Sequence, residues 1–327
     1  MGRVSEIPRP RPRRRRPMRS AAGLLVLLAL AGYFIVQRES TGGGGAPYCT
    51  ASVREGADPG REGALRTYEM TPEQAGYAAT IAAVGVAKGL PDRAVTIALA
   101  TAMQESSLRN LDHGDRDSLG LFQQRPSQGW GTPEQIMDPV YSAGIFYDRL
   151  AEIKGYSRLP LTVAAQKVQR SGFPQAYAKH EPDAIVLTGA LAGSGEVSCG
   201  GPPPTGPGDP QKVRADLARI FGQSGLHTMP PEPGPAQDGG GRVKEAEISL
   251  VEKHDAGEAA QRTTRVMAQW AVANARGMNI SRVSYGWKGW IAGEAKGRWQ
   301  DKGGPGKSGD GDPHNAVPAE VRIFVNR

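Results

Sequence analysis

One glutamate at the end of an apolar segment constrains this sequence more than any other feature. Residues 92–105 are apolar on most sides, which is the pattern of a buried central helix, and Glu105 lies at the end of that segment. A polar turn follows, and then the compact segment 118–123. A carboxyl group at the edge of a core is partly desolvated, and desolvation raises its pKa. The pattern therefore predicts a glutamate that can hold a proton near neutral pH.

The two parts of this pattern resemble a motif of the lysozyme-like lytic transglycosylases. In that family a helix ends in Glu-Ser, and Ser-x-x-Gly-Leu-Met-Gln or a close variant follows after a turn. Here the first part is Glu105 and Ser106, and residues 118–123 read Ser-Leu-Gly-Leu-Phe-Gln. The resemblance implies an all-helical lysozyme-like domain that cleaves the glycan strands of peptidoglycan without a cofactor. It also implies that Glu105 works alone as acid and base. The N-acetyl and 6-hydroxyl groups of the sugar then replace the second carboxylate that most glycosidases use.

Several other residues are candidates for contacts with the glycan strand. The resemblance gives Gln123 a substrate-facing role, and Ser118 and Gly120 belong to the same motif. The family's later Ala-x-Asn-x-Gly motif has no asparagine here, so Gln169 and Tyr177 are the candidates to replace it. A tryptophan between two glycines is a candidate for stacking on a sugar ring. Turn capping by the glutamines and core packing by the aromatic residues are the structural alternatives. The candidate substrate-binding residues are Ser118, Gly120, Gln123, Gln124, Trp130, Gln169 and Tyr177.

Three aspartates, Asp112, Asp115 and Asp117, lie in the polar turn. Their spacing does not match a calcium-binding EF-hand loop, so turn formation by their side chains is the simpler interpretation. Asp115 or Asp117 could instead position a water molecule, which would make the protein a hydrolase like goose-type lysozyme. Both chemistries stay open on the sequence alone.

The basic excess of the chain is confined to its first residues. The net charge is +7, and residues 1–19 alone contain eight arginines and one glutamate. The rest of the chain is neutral, which removes the charge argument for nucleic-acid binding. The uncharged segment 21–36 that follows predicts a membrane-spanning helix at 20–37, with the arginine-rich side in the cytoplasm and the bulk outside. A cleaved signal peptide is the alternative.

The two cysteines, Cys49 and Cys199, lie at the margins of the predicted helical domain. Disulfides persist in exported proteins, so we predict that the two cysteines form one. Two separate buried thiols are the alternative.

The C-terminal residues predict a small α/β unit. Its predicted elements are a strand at 246–251, a helix at 258–276 and strands at 280–285 and 321–325. The unit faintly resembles the zinc-dependent peptidoglycan peptidases, but the positions of their metal ligands hold Glu247, Glu320 and Arg322. The histidines show no ligand spacing, so we predict no metal and a degenerate domain kept for binding or spacing. The histidines are His113, His180, His227, His254 and His314.

Together these observations predict a mainly α protein with a transmembrane helix, a lysozyme-like domain and a small α/β domain. The predicted segments are a basic cytoplasmic tail (1–19), a membrane anchor (20–37), a spacer (38–67), the lysozyme-like domain (68–199), a Pro/Gly-rich linker with a short amphipathic helix (200–241) and the α/β domain (242–327). The predicted function is cleavage of peptidoglycan glycan strands at the membrane. The alternative is a non-catalytic cell-wall-binding protein or adaptor of an envelope complex. The expected partners are glycan strands and the membrane, not nucleic acid, and the sequence identifies no protein partner.

Overall fold

The computed structural model describes residues 47–54, 63–171, 174–223, 226–229, 245–251, 257–302 and 320–326. All of them lie in one compact unit, Ala46–Arg327. The predicted basic tail (1–19) and membrane segment (20–37) lie outside the described residues. Of the helices within these ranges, none is long and apolar enough to cross a membrane. The predicted single-pass localisation is therefore not supported by the structure.

The segment between residues 72 and 191 contains six α-helices. They are α1 (Pro72–Ala87), α2 (Asp92–Ser106), α3 (Pro133–Ile136), α4 (Pro139–Ala151), α5 (Leu161–Gln169) and α6 (Glu181–Leu191). Short 3-10 helices at Pro126–Gln128, Tyr156–Arg158 and Pro174–His180 lie between them. Helix α1 begins at a capping box, in which Thr71 and Gln74 each accept a hydrogen bond from the other's backbone N–H.

Helix α2 is the buried central helix that the sequence predicts. Every residue from Ala94 to Met103 is buried. Ile97 and Leu99 have no exposed surface, so truncation of either to alanine is expected to cost about 2–5 kcal/mol of stability. The helix ends at Ser106, because Ser107 and Leu108 both adopt left-handed backbone conformations with φ of 54° and 57°. This abrupt end fixes the direction in which Glu105 points.

A three-stranded antiparallel sheet also belongs to this part of the chain, so the prediction of an all-helical domain without strands is wrong. The strands are β1 (Tyr48–Arg54), β2 (Leu65–Met70) and β3 (Glu196–Gly200), in the order β2-β1-β3. Strand β1 lies within the segment predicted to be a spacer. Its Cys49 is opposite Cys199 of β3, and the two form the predicted disulfide, which is confirmed.

The C-terminal part contains a six-stranded antiparallel sheet and one long helix. After α7 (Pro210–Phe221) come β4 (Leu226–Met229), β5 (Glu245–Val251), α8 (Glu258–Met278), β6 (Ile280–Tyr285), β7 (Lys288–Ile291), β8 (Gln300–Asp301) and β9 (Glu320–Asn326). A fourth 3-10 helix, Ala295–Gly297, precedes β8. The strand order is β4-β5-β9-β6-β7-β8. The sequence predicts α8, β5, β6 and β9 but not β4, β7 or β8. With two sheets and about half of the described residues helical, the predicted mainly α fold class is corrected to a mixed α and β fold.

Helix α8 connects the C-terminal sheet to the helical core. It packs on β6 and β9 through one face and on α1 through another. The indole N–H of Trp270 donates to the Thr80 hydroxyl of α1 (3.2 Å). The Gln269 side chain accepts from the backbone N–H of Val197 in β3 (2.8 Å). Both contacts are buried, so α8 joins the C-terminal sheet to α1 and to β3.

Candidate active site

Glu105 lies in a large open cleft on the helical part of the molecule. The cleft has a volume of about 1160 Å³. Five of the predicted site residues line it: Glu105, Ser118, Gln123, Trp130 and Gln169. The other three predicted residues, Gly120, Gln124 and Tyr177, support the cleft from behind its surface.

The Glu-Ser pair has a structural explanation in the contacts of Ser106. Its hydroxyl lies 2.7 Å from the carbonyl oxygen of Leu121 and 3.0 Å from that of Ala102. The serine thereby ties the end of α2 to the Gly-Leu-Phe-Gln turn (residues 120–123). This contact places Glu105 beside the turn that forms one side of the cleft.

Glu105 is partly buried, and its hydrogen-bond partners among the described residues are neutral. The Tyr177 hydroxyl donates to its Oε1 atom at 2.6 Å, and the Gln169 side chain is a second hydrogen-bond partner. Burial raises the pKa of Glu105, and these two hydrogen bonds lower it only in part. Among the described residues, no cation forms an ion pair with Glu105. The site therefore favours the protonated carboxyl group that the sequence predicts.

Tyr177 and Gln169 come from different elements and meet at Glu105. Tyr177 is fully buried on the 3-10 helix Pro174–His180, and burial and the Glu105 carboxylate raise the pKa of its hydroxyl. Gln169 ends α5, and its Nε2 atom donates to the carbonyl oxygen of Phe122 at 2.7 Å. Gln169 therefore connects α5, the Gly-Leu-Phe-Gln turn and Glu105. It is one of the two residues that we predict to replace the asparagine of the Ala-x-Asn-x-Gly motif.

The Gly-Leu-Phe-Gln turn requires its glycine. Gly120 has φ of +76°, and a Cβ atom there would lie 2.8 Å from the carbonyl oxygen of Ile136. Backbone hydrogen bonds of 2.9 Å in both directions between Leu119 and Gln124 close the turn. Gln124 is buried and donates to the carbonyl oxygen of Ser142 at 3.0 Å, so it packs inside the core instead of facing the cleft.

Trp130 lies at the cleft, but little of its surface is exposed. Its exposed fraction is 6%, and the guanidinium carbon of Arg149 lies 3.5 Å from its ring centroid. Arg149 also donates to the carbonyl oxygen of Gly129 at 2.6 Å. The guanidinium group therefore covers one face of the ring that we predict to stack on a sugar.

The aspartates of the polar turn differ in their surroundings. Asp117 accepts from Arg125 Nε (2.9 Å) and from the backbone N–H of Ser127 (2.8 Å). These contacts hold the pKa of Asp117 far below its usual range. Asp115 is exposed and lines the cleft, whereas Asp112 pairs with the ring of His113 at 2.7 Å. Asp117 therefore stabilises the loop, and Asp115 is the aspartate that remains available to a water molecule in the cleft.

The predicted ligand positions of the C-terminal unit hold an ion-pair cluster. Arg322 Nε lies 2.7 Å from the Glu320 carboxylate and 3.7 Å from that of Glu247. Within the part of the chain that the structure describes, no group of three or more His, Cys, Asp or Glu side chains could hold a metal ion. His254 and His314 lie outside the described residues.

The sequence does not predict that basic side chains line the cleft, among them Arg149, Lys167 and Arg170. Helical spacing offers a signal for one of them, because Ile145 and Arg149 are four residues apart on α4 and both line the cleft. A scan of the sequence against protein-family models found no matching family, and a search of curated proteins found no match. The functional interpretation therefore depends on the residues and their geometry.

Proposed function

We propose that this protein cleaves the glycan strands of peptidoglycan and that Glu105 is the single acid and base of the reaction. The observation that carries the proposal is the environment of Glu105. The carboxyl group lines an open cleft, burial raises its pKa, and its hydrogen-bond partners Tyr177 and Gln169 are neutral. A general acid with these properties can be protonated near neutral pH.

The first chemical step is protonation of the glycosidic oxygen. Glu105 donates its proton to the leaving oxygen as the bond to the anomeric carbon breaks, which leaves the glutamate as a carboxylate. Tyr177 donates a hydrogen bond to that carboxylate at 2.6 Å and so stabilises the charge that develops on it. The same contact fixes the carboxyl group in one orientation toward the cleft.

The second step returns a proton to Glu105. The carboxylate accepts the proton of the sugar's own 6-hydroxyl group while that oxygen bonds to the anomeric carbon. The product is a 1,6-anhydro sugar, and Glu105 is ready for another cycle. A cleft of about 1160 Å³ exceeds the size of ordinary small-ligand sites, which suits a polymer substrate.

Hydrolysis is a second candidate reaction, favoured by one observation. Asp115 lines the same cleft as Glu105, with an exposed carboxylate. If Asp115 activates a water molecule, the product carries a reducing end instead of the anhydro ring.

The experiment is incubation of the purified full-length protein with peptidoglycan sacculi, followed by mass spectrometry of the released fragments. We expect 1,6-anhydro ends from the parent protein and from a Glu69→Gln control, because Glu69 is exposed on β2. Reducing ends would indicate hydrolysis. The absence of released fragments would contradict the proposal and favour a non-catalytic adaptor.

A further inference from the structure

The cleft is lined by two exposed basic side chains, Lys167 and Arg170, that form no ion pair within the described part of the chain. Lys167 and Arg170 line the cleft on either side of Gln169, and both are exposed. No ion pair joins either of them to an acidic side chain among the described residues. Arg149 also lines the cleft. We call Arg149, Lys167 and Arg170 the cationic wall.

The acidic residues near the cationic wall are largely engaged elsewhere. Asp148 lines the cleft but pairs with Lys88 at 2.6 Å. Glu152 is exposed and attracts the charge of Arg149. Asp115, at the polar turn, has Arg116 as its neighbour at 3.9 Å. These acids leave Lys167 and Arg170 without a partner of their own.

Arg149 and Arg170 line the same cleft, and their like charges interact unfavourably. Burial lowers the pKa of Arg149, and the positive charge of Arg170 lowers it further, against the opposing effect of Glu152. Like charges held together in a partly desolvated cleft raise the free energy of the empty site. An anion bound between them removes that repulsion.

The side chain of Arg149 is already fixed for such a contact. Its guanidinium group is held against the Trp130 ring and by the carbonyl oxygen of Gly129. Because the group is planar and carries five N–H donors, donors remain for a carboxylate in the cleft. Less rotamer entropy is lost on binding when the donor is held in advance.

The position of Arg170 relates the cationic wall to the reaction centre. Arg170 directly follows Gln169, whose side chain contacts Glu105. It has a left-handed backbone with φ of 52° and ends α5 there. An anion bound by Arg170 would therefore lie close to the bond that Glu105 protonates.

We propose that the cationic wall selects glycan strands that carry carboxylate groups over neutral strands with a similar sugar backbone. This inference depends on the proposed function. The carboxylate has two possible sources in peptidoglycan, the lactyl group of the muramic acid and the attached peptide. Chitin oligosaccharides have no carboxylate and serve as the neutral comparison.

The test measures binding separately from cleavage. The full-length Glu105→Gln protein is titrated calorimetrically with three oligosaccharides of equal length: a chitin oligomer, a peptide-free peptidoglycan strand and a peptide-bearing strand. We expect at least one carboxylate-bearing strand to bind about tenfold more tightly than chitin at low salt, because charge-assisted bonds to arginine are strong. The preference should decrease as salt rises, since exposed charges are screened. Tight binding of the peptide-free strand would show that the cationic wall recognises the lactyl carboxylate. Tight binding of the peptide-bearing strand alone would show that it recognises a carboxylate of the peptide.

Two double variants, each of which loses two positive charges, serve as the test and its control. Lys167→Gln with Arg170→Gln, in the Glu105→Gln background, should reduce the preference about tenfold. Lys154→Gln with Arg158→Gln, two exposed positions outside the cleft, should retain it. Equal affinity for chitin and both peptidoglycan strands, or a preference that survives in the Lys167/Arg170 variant, would overturn the inference.

The two proposals fail in different ways. A protein that prefers carboxylate-bearing strands but releases no fragments from sacculi would contradict the proposed reaction and support the cationic wall. A protein that cleaves sacculi but binds all three strands equally would support the reaction and contradict the cationic wall. Failure to bind any strand would overturn the cationic wall. Because the salt dependence is measured on the protein with its wall intact, the result does not depend on the folding of the double variant.

Discussion

Two glutamates of this protein, one partly and one fully buried, have opposite kinds of partner. Glu105, in the cleft, is held by the neutral side chains of Tyr177 and Gln169. Glu247, on β5 of the C-terminal sheet, is 5% exposed and lies 3.7 Å from the guanidinium group of Arg322. A neutral environment leaves the carboxylate charge uncompensated, so a proton is its most accessible counter-charge. At Glu247, the nearby Arg322 balances the carboxylate charge, so no proton is needed there.

The difference teaches how one carboxyl group becomes a proton donor while another stabilises a fold. Of the two regions, only the cleft combines a partly buried acid with neutral hydrogen-bond donors. In the C-terminal sheet, the positions of the metal ligands hold an arginine between two glutamates. We therefore expect substitutions at Glu105 to affect chemistry and substitutions around Glu247 to affect stability.

The largest expected effect is that of Glu105→Gln on glycan cleavage. The amide has nearly the same shape but cannot donate a proton as a carboxylic acid does. Loss of general acid assistance should reduce the rate by about 10²–10⁴-fold. The rate of fragment release from sacculi measures this effect, and circular dichroism verifies the fold.

Asp117→Asn is the matched control. Because Asp117 is engaged by Arg125 and the backbone of Ser127, this variant should retain substantial cleavage. Cleavage by Glu105→Gln at the parent rate would refute the role of Glu105. Equal loss in a folded Asp117→Asn protein would show that the loop contacts of Asp117 are also required for cleavage.

The second-largest expected effect is a loss of stability when Glu247 loses its arginine partner. Arg322→Gln leaves the Glu247 charge without this cation and should lower the free energy of unfolding by about 1–3 kcal/mol. Cleavage of sacculi should stay at the parent rate. Denaturant unfolding and fragment release measure the two quantities.

A second variant tests the cause of that loss. Glu247→Gln combined with Arg322→Gln removes both charges and should recover part of the stability. A loss of cleavage in folded Arg322→Gln would show that the C-terminal sheet takes part in the reaction. The contrast between the two regions would then be wrong.

A smaller effect is expected for Tyr177→Phe. The hydrogen bond from Tyr177 lowers the pKa of Glu105, so its removal should raise that pKa further. The alkaline limb of the kcat/KM profile should therefore move to higher pH. The rate at the optimum should fall by about tenfold, equivalent to about 1.4 kcal/mol for one hydrogen bond.

Tyr156→Phe is the control, since Tyr156 lies on a different 3-10 helix, Tyr156–Arg158. Its pH profile should match that of the parent. An unchanged alkaline limb in Tyr177→Phe would show that the hydroxyl does not influence Glu105.

The smallest effect is a pH-dependent difference in melting temperature between the parent and Glu105→Gln. The pKa of Glu105 is raised in the folded state, so the folded protein binds this proton more tightly than the unfolded chain. The stability contribution is complete below the usual glutamate pKa and is lost as pH rises through the folded-state value. Glu105→Gln should therefore gain stability relative to the parent between acidic and neutral pH. A constant difference across this range would contradict the raised pKa.

The sequence predicts those parts of the molecule in which neighbouring residues carry the signal. The apolar segment locates α2, and the short Glu-Ser and Gly-Leu-Phe-Gln segments locate Glu105 and Gln123, which line the cleft. Strands β5, β6 and β9 follow from local hydrophobic patterns. In each case the determining residues lie within one or two turns or strands of each other.

Contacts between distant residues account for what the sequence does not predict. Residues 48–54 form strand β1 because β2 and β3 pair with them. Cys199 of β3, which forms the disulfide with Cys49 of β1, lies 150 residues further along the chain. The loop around Trp130 suggests an exposed ring, but Arg149 from α4 covers it. Tyr177 is predicted as a candidate, whereas its bond to Glu105 across 72 positions appears only in the fold.

The central position of β1 has a consequence for the order in which the chain can fold on the ribosome. Strand β1 is the middle strand of its sheet, so one of its edges stays unpaired until β3 has been translated. The ribosome adds about 5–20 residues per second, so the separation of 150 residues corresponds to roughly 10–30 s. During that interval α1 to α6 can form while one edge of β1 is open to other chains or chaperones. The three-stranded sheet is therefore completed late, after α1 to α6 have been translated.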